Sequence, residues 1–164
     1  MAINFDDFYA AHFRGVAAQI YVSFGDMAEA QDIAQEAFVR ALARWERICQ
    51  FDDPVSWVRR VAWNLAIGRW RRVRTALNFL KRAREQHVPE PNPDHLVLRA
   101  AMAKLPDSQR RAIVLYYLAD MSVADVAHEL GVPEGTVKSW LSRGREALAR
   151  ELKDEADGMG VRHA

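Results

Sequence analysis

The chain has 164 residues, 50% hydrophobic and 27% charged, enough for one medium globular domain or two small ones. Its single cysteine excludes a disulfide framework, and its longest apolar stretch, residues 112–119, is too short to span a bilayer. The net charge of +1 hides two opposed blocks: Asp26, Glu29, Asp32 and Glu36 lie in a segment without Lys or Arg, and residues 59–84 hold nine basic residues and no acid. Such blocks suit a basic protein surface and a polyanion as partners.

Ala, Leu, Arg and Glu recur at helical spacing, and β-branched alternation is absent, so the fold class is all-α. A first helix is predicted over residues 5–23, sending Phe8, Phe13, Val16, Ile20 and Phe24 into a core. The second, residues 27–45, starts after Gly25 with Asp26 as N-cap. Its apolar stripe is Ala30, Ile33, Ala34, Ala37, Phe38, Ala41, Leu42 and Trp45, each three or four residues from the next turn's member. The third starts at Asp53-Pro54, an acid followed by proline at the first helical position, and ends near residue 74. Residues 86–94, QHVPEPNPD, carry three prolines and break the chain into two domains. Helices are then expected over 94–104, 107–119, 122–130 and 134–152, and the final DGMGVRHA reads as a frayed tail.

On the second helix Glu29, Asp32 and Glu36 share the face opposite the apolar stripe, which is either a solvated acidic face or a docking surface. On the third helix Val58, Val61, Ala62 and Leu65 point inward, leaving Trp57, Arg60, Asn64, Ile67 and Arg71 on one side. Trp63 and Trp70, with Arg59 and Arg74, occupy the adjacent side. Tryptophans interleaved with guanidinium groups hold unstacked single-stranded bases; the alternative is that Trp57 or Trp63 covers a neighbouring helix. In the C-terminal half, Ser122 caps a short helix with Val126, Ala127 and Leu130 inward. Gly131-Val132-Pro133 makes a tight turn, and a longer helix opens at Glu134-Gly135-Thr136. That helix packs through Val137, Leu141, Gly144 and Leu148. It presents Gly135, Lys138, Ser139, Ser142 and Glu146, flanked by Arg143 and Arg145, a face suited to base edges and phosphates.

Residues 105–148, LPDSQRRAIVLYYLADMSVADVAHELGVPEGTVKSWLSRGREAL, resemble the fourth conserved region of sigma factors, a pattern shared with response-regulator output domains. Residues 32–45, DIAQEAFVRALARW, and 54–72, PVSWVRRVAWNLAIGRWRR, resemble the second conserved region. Together, and with no third domain between them, they resemble the extracytoplasmic-function subfamily of bacterial RNA polymerase sigma factors. The resemblance implies two small helical domains: residues 1–74, a flexible linker 75–94, a helix-turn-helix domain 95–155 and the tail 156–164. It implies that Glu29, Asp32 and Glu36 dock on the clamp helices of the polymerase largest subunit. It implies that Trp57, Arg60, Trp63, Asn64, Trp70 and Arg71 hold the melted minus-ten element, and that Thr136, Lys138, Ser139, Ser142 and Arg143 read the minus-thirty-five element. The C-terminal domain would meet the polymerase flap, and an anti-sigma factor is a further expected partner; no membrane contact, homo-oligomer, cofactor, metal or catalytic residue is expected. Trp63, Gly68 and Trp140 depart from the family pattern, which has Arg, Asp and Arg there.

The runner-up reading is a free-standing helix-turn-helix regulator, which needs two half-sites and a dimer seam. No heptad seam stands out in the first 90 residues. A purely protein-binding adaptor would leave the cationic, tryptophan-rich helix unexplained. For an enzyme the signals are poor: His128-Glu129 is half of a zinc-protease motif whose second His position holds Val132, Cys49 has no evident base, and His12 and His87 read as surface residues.

Overall fold

The computed structural model describes residues 3–80 and 93–160. The chain divides into two compact units, Met1–Val88 and Pro89–Ala164. Residues 81–92 of the expected linker, with Lys81, Arg82, Arg84 and His87, and residues 161–164 lie outside the described residues. All regular structure among the described residues is helical. The first unit contains α1 (Phe5–Phe24), α2 (Met27–Leu42), the short α3 (Trp45–Ile48) and α4 (Pro54–Leu80). The second contains α5 (Pro93–Lys104), α6 (Asp107–Tyr117), α7 (Val123–Leu130) and α8 (Glu134–Gly160).

Local chemistry sets the helix starts. The Asn4 side chain accepts from the Asp6 amide at 3.2 Å, and the Asp26 carboxylate accepts from the Glu29 amide at 3.0 Å. Between these helices Gly25 adopts a left-handed φ of 90°, and its amide closes α1 on the Tyr21 carbonyl at 2.7 Å. At the head of α4 the Asp53 carboxylate accepts from the Ser56 amide at 3.3 Å, as its place before Pro54 predicts. The core of this unit joins Phe8, Val16 and Ile20 of α1 to the α2 stripe from Ala30 to Ala41 and to Val58, Ala62 and Ala66 of α4. Phe38 sits within a ring of aromatics, with Phe5, Phe8, Tyr9 and Phe13 centroids at 6.5, 5.7, 5.1 and 6.0 Å.

Three expected ends differ by three residues or more. First, α2 stops at Leu42, which is 54% exposed, and Trp45 starts α3 instead. The indole of Trp45 donates to the Ile3 carbonyl at 3.2 Å and packs on Phe5 and Phe8 at 5.2 and 4.8 Å, contacts that a straight continuation of α2 was not expected to make. Second, α4 continues past residue 74 to Leu80, since no proline or glycine interrupts residues 75–80 and Thr75 tucks its hydroxyl onto the Arg71 carbonyl at 2.9 Å. Third, α8 remains helical to Gly160 rather than fraying from 156. Its ion pair from Glu151 to Lys104 of α5, at 2.5 Å, ties down the preceding turn. Residues 152–158 are exposed, so they are held by the helix's own hydrogen bonds.

Candidate nucleic-acid and partner interfaces

The second unit's site is built by a turn. Ser122 Oγ accepts from the Asp125 amide at 3.1 Å to begin α7. At its end Gly131 takes a φ of 66°, its amide donates to the His128 carbonyl at 3.3 Å, and the Val132 amide donates to Ala127 at 3.1 Å. This 6→1, 5→2 pair satisfies carbonyls that the helix end would leave open. The Pro133 carbonyl then accepts from the Thr136 and Val137 amides at 3.0 and 3.3 Å, launching α8 in a new direction. Val137, Leu141 and Gly144 are buried as their spacing predicts. Gly144 of α8 packs directly under the Ile113 side chain of α6, so that a methyl here would overlap Ile113 Cδ1 and stand 3.3 Å from Cγ1.

That packing leaves Lys138, Ser142, Arg143, Arg145 and Glu146 exposed on α8, with Thr136, Ser139 and Trp140 half-buried. Arg145 Nη1 donates to the Tyr117 hydroxyl at 3.2 Å, which tethers it to α6. Short polar groups beside exposed cations on the second helix of such a turn are the equipment for reading a duplex groove.

On α4 the expected face separates into two kinds of residue. Arg60, Asn64 and Arg71 are exposed along one side, and Trp57 and Trp70 are half-buried beside them. Trp63 does not belong to that surface. It is 6% exposed, 5.1 Å from Phe24 ring to ring, and part of the core; the buried stripe is wider than expected because α1 and α2 both press on this helix. Trp70 leans on the same Phe24 at 6.4 Å and remains only half-buried. Of the cations, Arg59 is drawn back to Asp53 at 3.2 Å.

The acidic face of α2 is present: Glu29 and Asp32 are exposed, and Glu36 is half-buried. It also carries an arrangement that periodicity does not reveal. Arg69 crosses from α4 and donates to Glu29 Oε1 at 2.9 Å and to Glu36 Oε2 at 2.5 Å. Arg40, one turn on, donates to Glu36 Oε1 at 2.6 Å. The hydrogen bond from Arg69 is the chief cause holding the Glu36 carboxyl below the usual carboxylate range; burial opposes it, and the weaker bond from Arg40 adds to it. Beside this crossing a cleft of about 320 Å³ runs between the helices, lined by Ile20, Phe24, Ile33, Ala66 and Trp70. Among the described residues, no helix is long and apolar enough to cross a membrane.

Known proteins resemble this chain over most of its length. The family described as Sigma-70 region 2 matches residues 8–84, and Sigma-70, region 4 matches residues 95–148. Over 151 residues the chain is 32% identical to the ECF RNA polymerase sigma factor SigW of Bacillus subtilis, a match covering 82% of this chain and 81% of SigW. It is 34% identical over 131 residues to the RNA polymerase sigma-E factor of Streptomyces antibioticus, covering 78% of this chain and 73% of that one. The sigma factor RpoE, solved with the anti-sigma factor NepR from Bartonella quintana, has the same fold, with a TM-score of 0.71 and 22% identity over 91% of this chain and 96% of RpoE.

Proposed function

The chain belongs to the sigma-70 family, among its extracytoplasmic-function members, and from that premise we propose how its two units divide the work of starting transcription. The protein binds core RNA polymerase and directs it to promoter DNA. In the first unit the α2 face of Glu29, Asp32 and Glu36 docks on the clamp helices of the largest subunit. Trp57, Arg60, Asn64, Trp70 and Arg71 of α4 hold the unpaired minus-ten strand, the tryptophan rings stacking bases and the guanidinium groups meeting phosphates. In the second unit Thr136, Lys138, Ser139, Ser142 and Arg143 of α8 read the minus-thirty-five duplex, and the unit also meets the polymerase flap. An anti-sigma factor is the expected antagonist, as NepR is the partner in the RpoE complex.

The observation that carries this reading is the coexistence, in one chain, of a helix-turn-helix with an exposed polar and cationic face and a separate helix bearing exposed Arg60, Asn64 and Arg71 beside half-buried tryptophans. Each surface alone is small. Polymerase holding both makes the second engagement effectively intramolecular, which raises avidity without new contacts. The test is promoter binding and run-off transcription with and without core polymerase. The free chain should bind promoter duplex poorly, and core enzyme should confer sequence-specific binding and initiation. Tight specific binding by the isolated chain, as a dimer on a palindrome, overturns the proposal in favour of a free-standing regulator.

A further inference from the structure

The three carboxylates of the α2 face face an internal rival. Arg69 bonds two of them, Glu29 and Glu36, and Arg40 takes the remaining oxygen of Glu36. Two guanidinium groups against three carboxylates leave this surface one net negative charge. A basic partner approaching it meets carboxylates already in charge-assisted bonds and two like charges beside them. The pairs are also open to exchange: the side chains of Arg69, Glu29 and Glu36 are 29%, 47% and 36% exposed, so water and salt screen them and each holds weakly. Arg69 sits on α4, one residue before Trp70, so whatever displaces it loosens a polar tie between α2 and the helix bearing Asn64 and Arg71.

We propose that Arg69 is a positioning residue that competes with the polymerase for Glu29 and Glu36, so that docking exchanges one ion pair for another and is thereby coupled to the DNA-holding helix. This rests on the reading of α2 as the polymerase-docking face. Coupling of this kind is reciprocal: whatever Arg69 subtracts from docking, docking subtracts from the hold of Arg69 on α2. A plain structural brace has the opposite sign, because removing a brace weakens docking.

The test measures binding of the labelled full-length chain to core RNA polymerase by fluorescence anisotropy, for the native sequence, Arg69→Met, Arg69→Lys and Asp32→Lys. Arg69→Met keeps an apolar stem over the cleft and removes the rival charge, and is expected to bind about fivefold tighter, the size of effect a screened ion pair supports. The gain should shrink as salt rises. Arg69→Lys, whose single ammonium lacks the fork to hold two carboxylates at once, should gain less but in the same direction. It decides the matter if the methionine variant melts early. Unchanged or weaker binding by a natively folded Arg69 variant overturns the proposal. Asp32 is exposed and outside the Arg69 pairs, so Asp32→Lys tests the docking face by itself. Weaker binding supports that face, and unaffected binding overturns the docking reading whatever Arg69 does.

Discussion

Replacing Trp63 with alanine separates burial from base contact as the reason for a tryptophan in the middle of α4. The side chain is 6% exposed, packs on Phe24 at 5.1 Å, and shares its core with Val58, Ala62 and Ala66. A buried tryptophan removes roughly 200 Å² from water, and at about 25 cal/mol per Å² that is worth about 5 kcal/mol. A realistic, partly compact unfolded chain lowers the figure to about 3–4 kcal/mol, inside the ~3–5 kcal/mol usual for this substitution. A unit of this size holds only about 4–12 kcal/mol in total, so Trp63→Ala should leave it marginal. The assay is hydrogen exchange of the full chain. Peptides from α1, α2 and α4 should lose protection together, whereas those from α6 to α8 serve as an internal reference. Trp63→Phe, which keeps a ring against Phe24, should recover most of the loss. Unchanged protection in Trp63→Ala together with failed promoter opening would refute the reasoning, because it would place the indole on DNA after all.

Other outcomes follow from the same geometry. Gly131→Ala puts a Cβ at a φ of 66° and should cost the second unit about 1 kcal/mol, and Ser122→Ala, which removes the α7 cap, a similar amount, both read by exchange in α7. Gly144→Val should be worse, about 2–3 kcal/mol, because Ile113 lies where the added carbons must go; native protection of α6 in that variant would count against the close approach. Burial, then Arg59, push the His12 imidazole below its ordinary value, and Asp53 offsets part of this. The unfolded chain therefore binds the proton more readily, so the first unit should lose stability as pH falls below about 6.5. Melting temperatures across that range should fall less steeply in His12→Gln. In polymerase-bound complexes, alanine at Lys138 or Arg143 should weaken promoter binding and flatten its salt dependence by about one counterion each; an unchanged slope would take that residue off the phosphates.

Helix starts were legible because they are local. Asp26, Pro54 and Ser122 each act within four residues of themselves, and Gly131 ends α7 by backbone geometry that sequence announces. The ends of α2, α4 and α8 were less legible, since stopping depends on what the chain can pack against next. Trp45 belongs to α3 because Ile3, Phe5 and Phe8 await it, and those residues lie some forty positions earlier. Helical periodicity identifies one stripe per helix, so it handled Phe38 and Val137 well. It placed Trp63 wrongly, because α4 packs on two neighbours and its second line of contact falls a few residues round. The Arg69 crossing was invisible for a related reason: spacing shows that Glu29 and Glu36 share a face, but not which distant cation reaches it.

The uninterrupted course of α4 has a mechanical corollary. With about 1.5 Å of rise per residue, its 27 residues make a stiff spar about 40 Å long, rooted in the core by Val58, Ala62 and Ala66 near one end. The position and heading of the end of α4 at Leu80 are consequently dictated by the length and phase of a rod. One residue inserted between Ile67 and Leu80 would swing that end through roughly 100° while shifting it by only about 1.5 Å. Within the spar, length is therefore a directional parameter, and natural or engineered insertions there should be far less forgiving than substitutions.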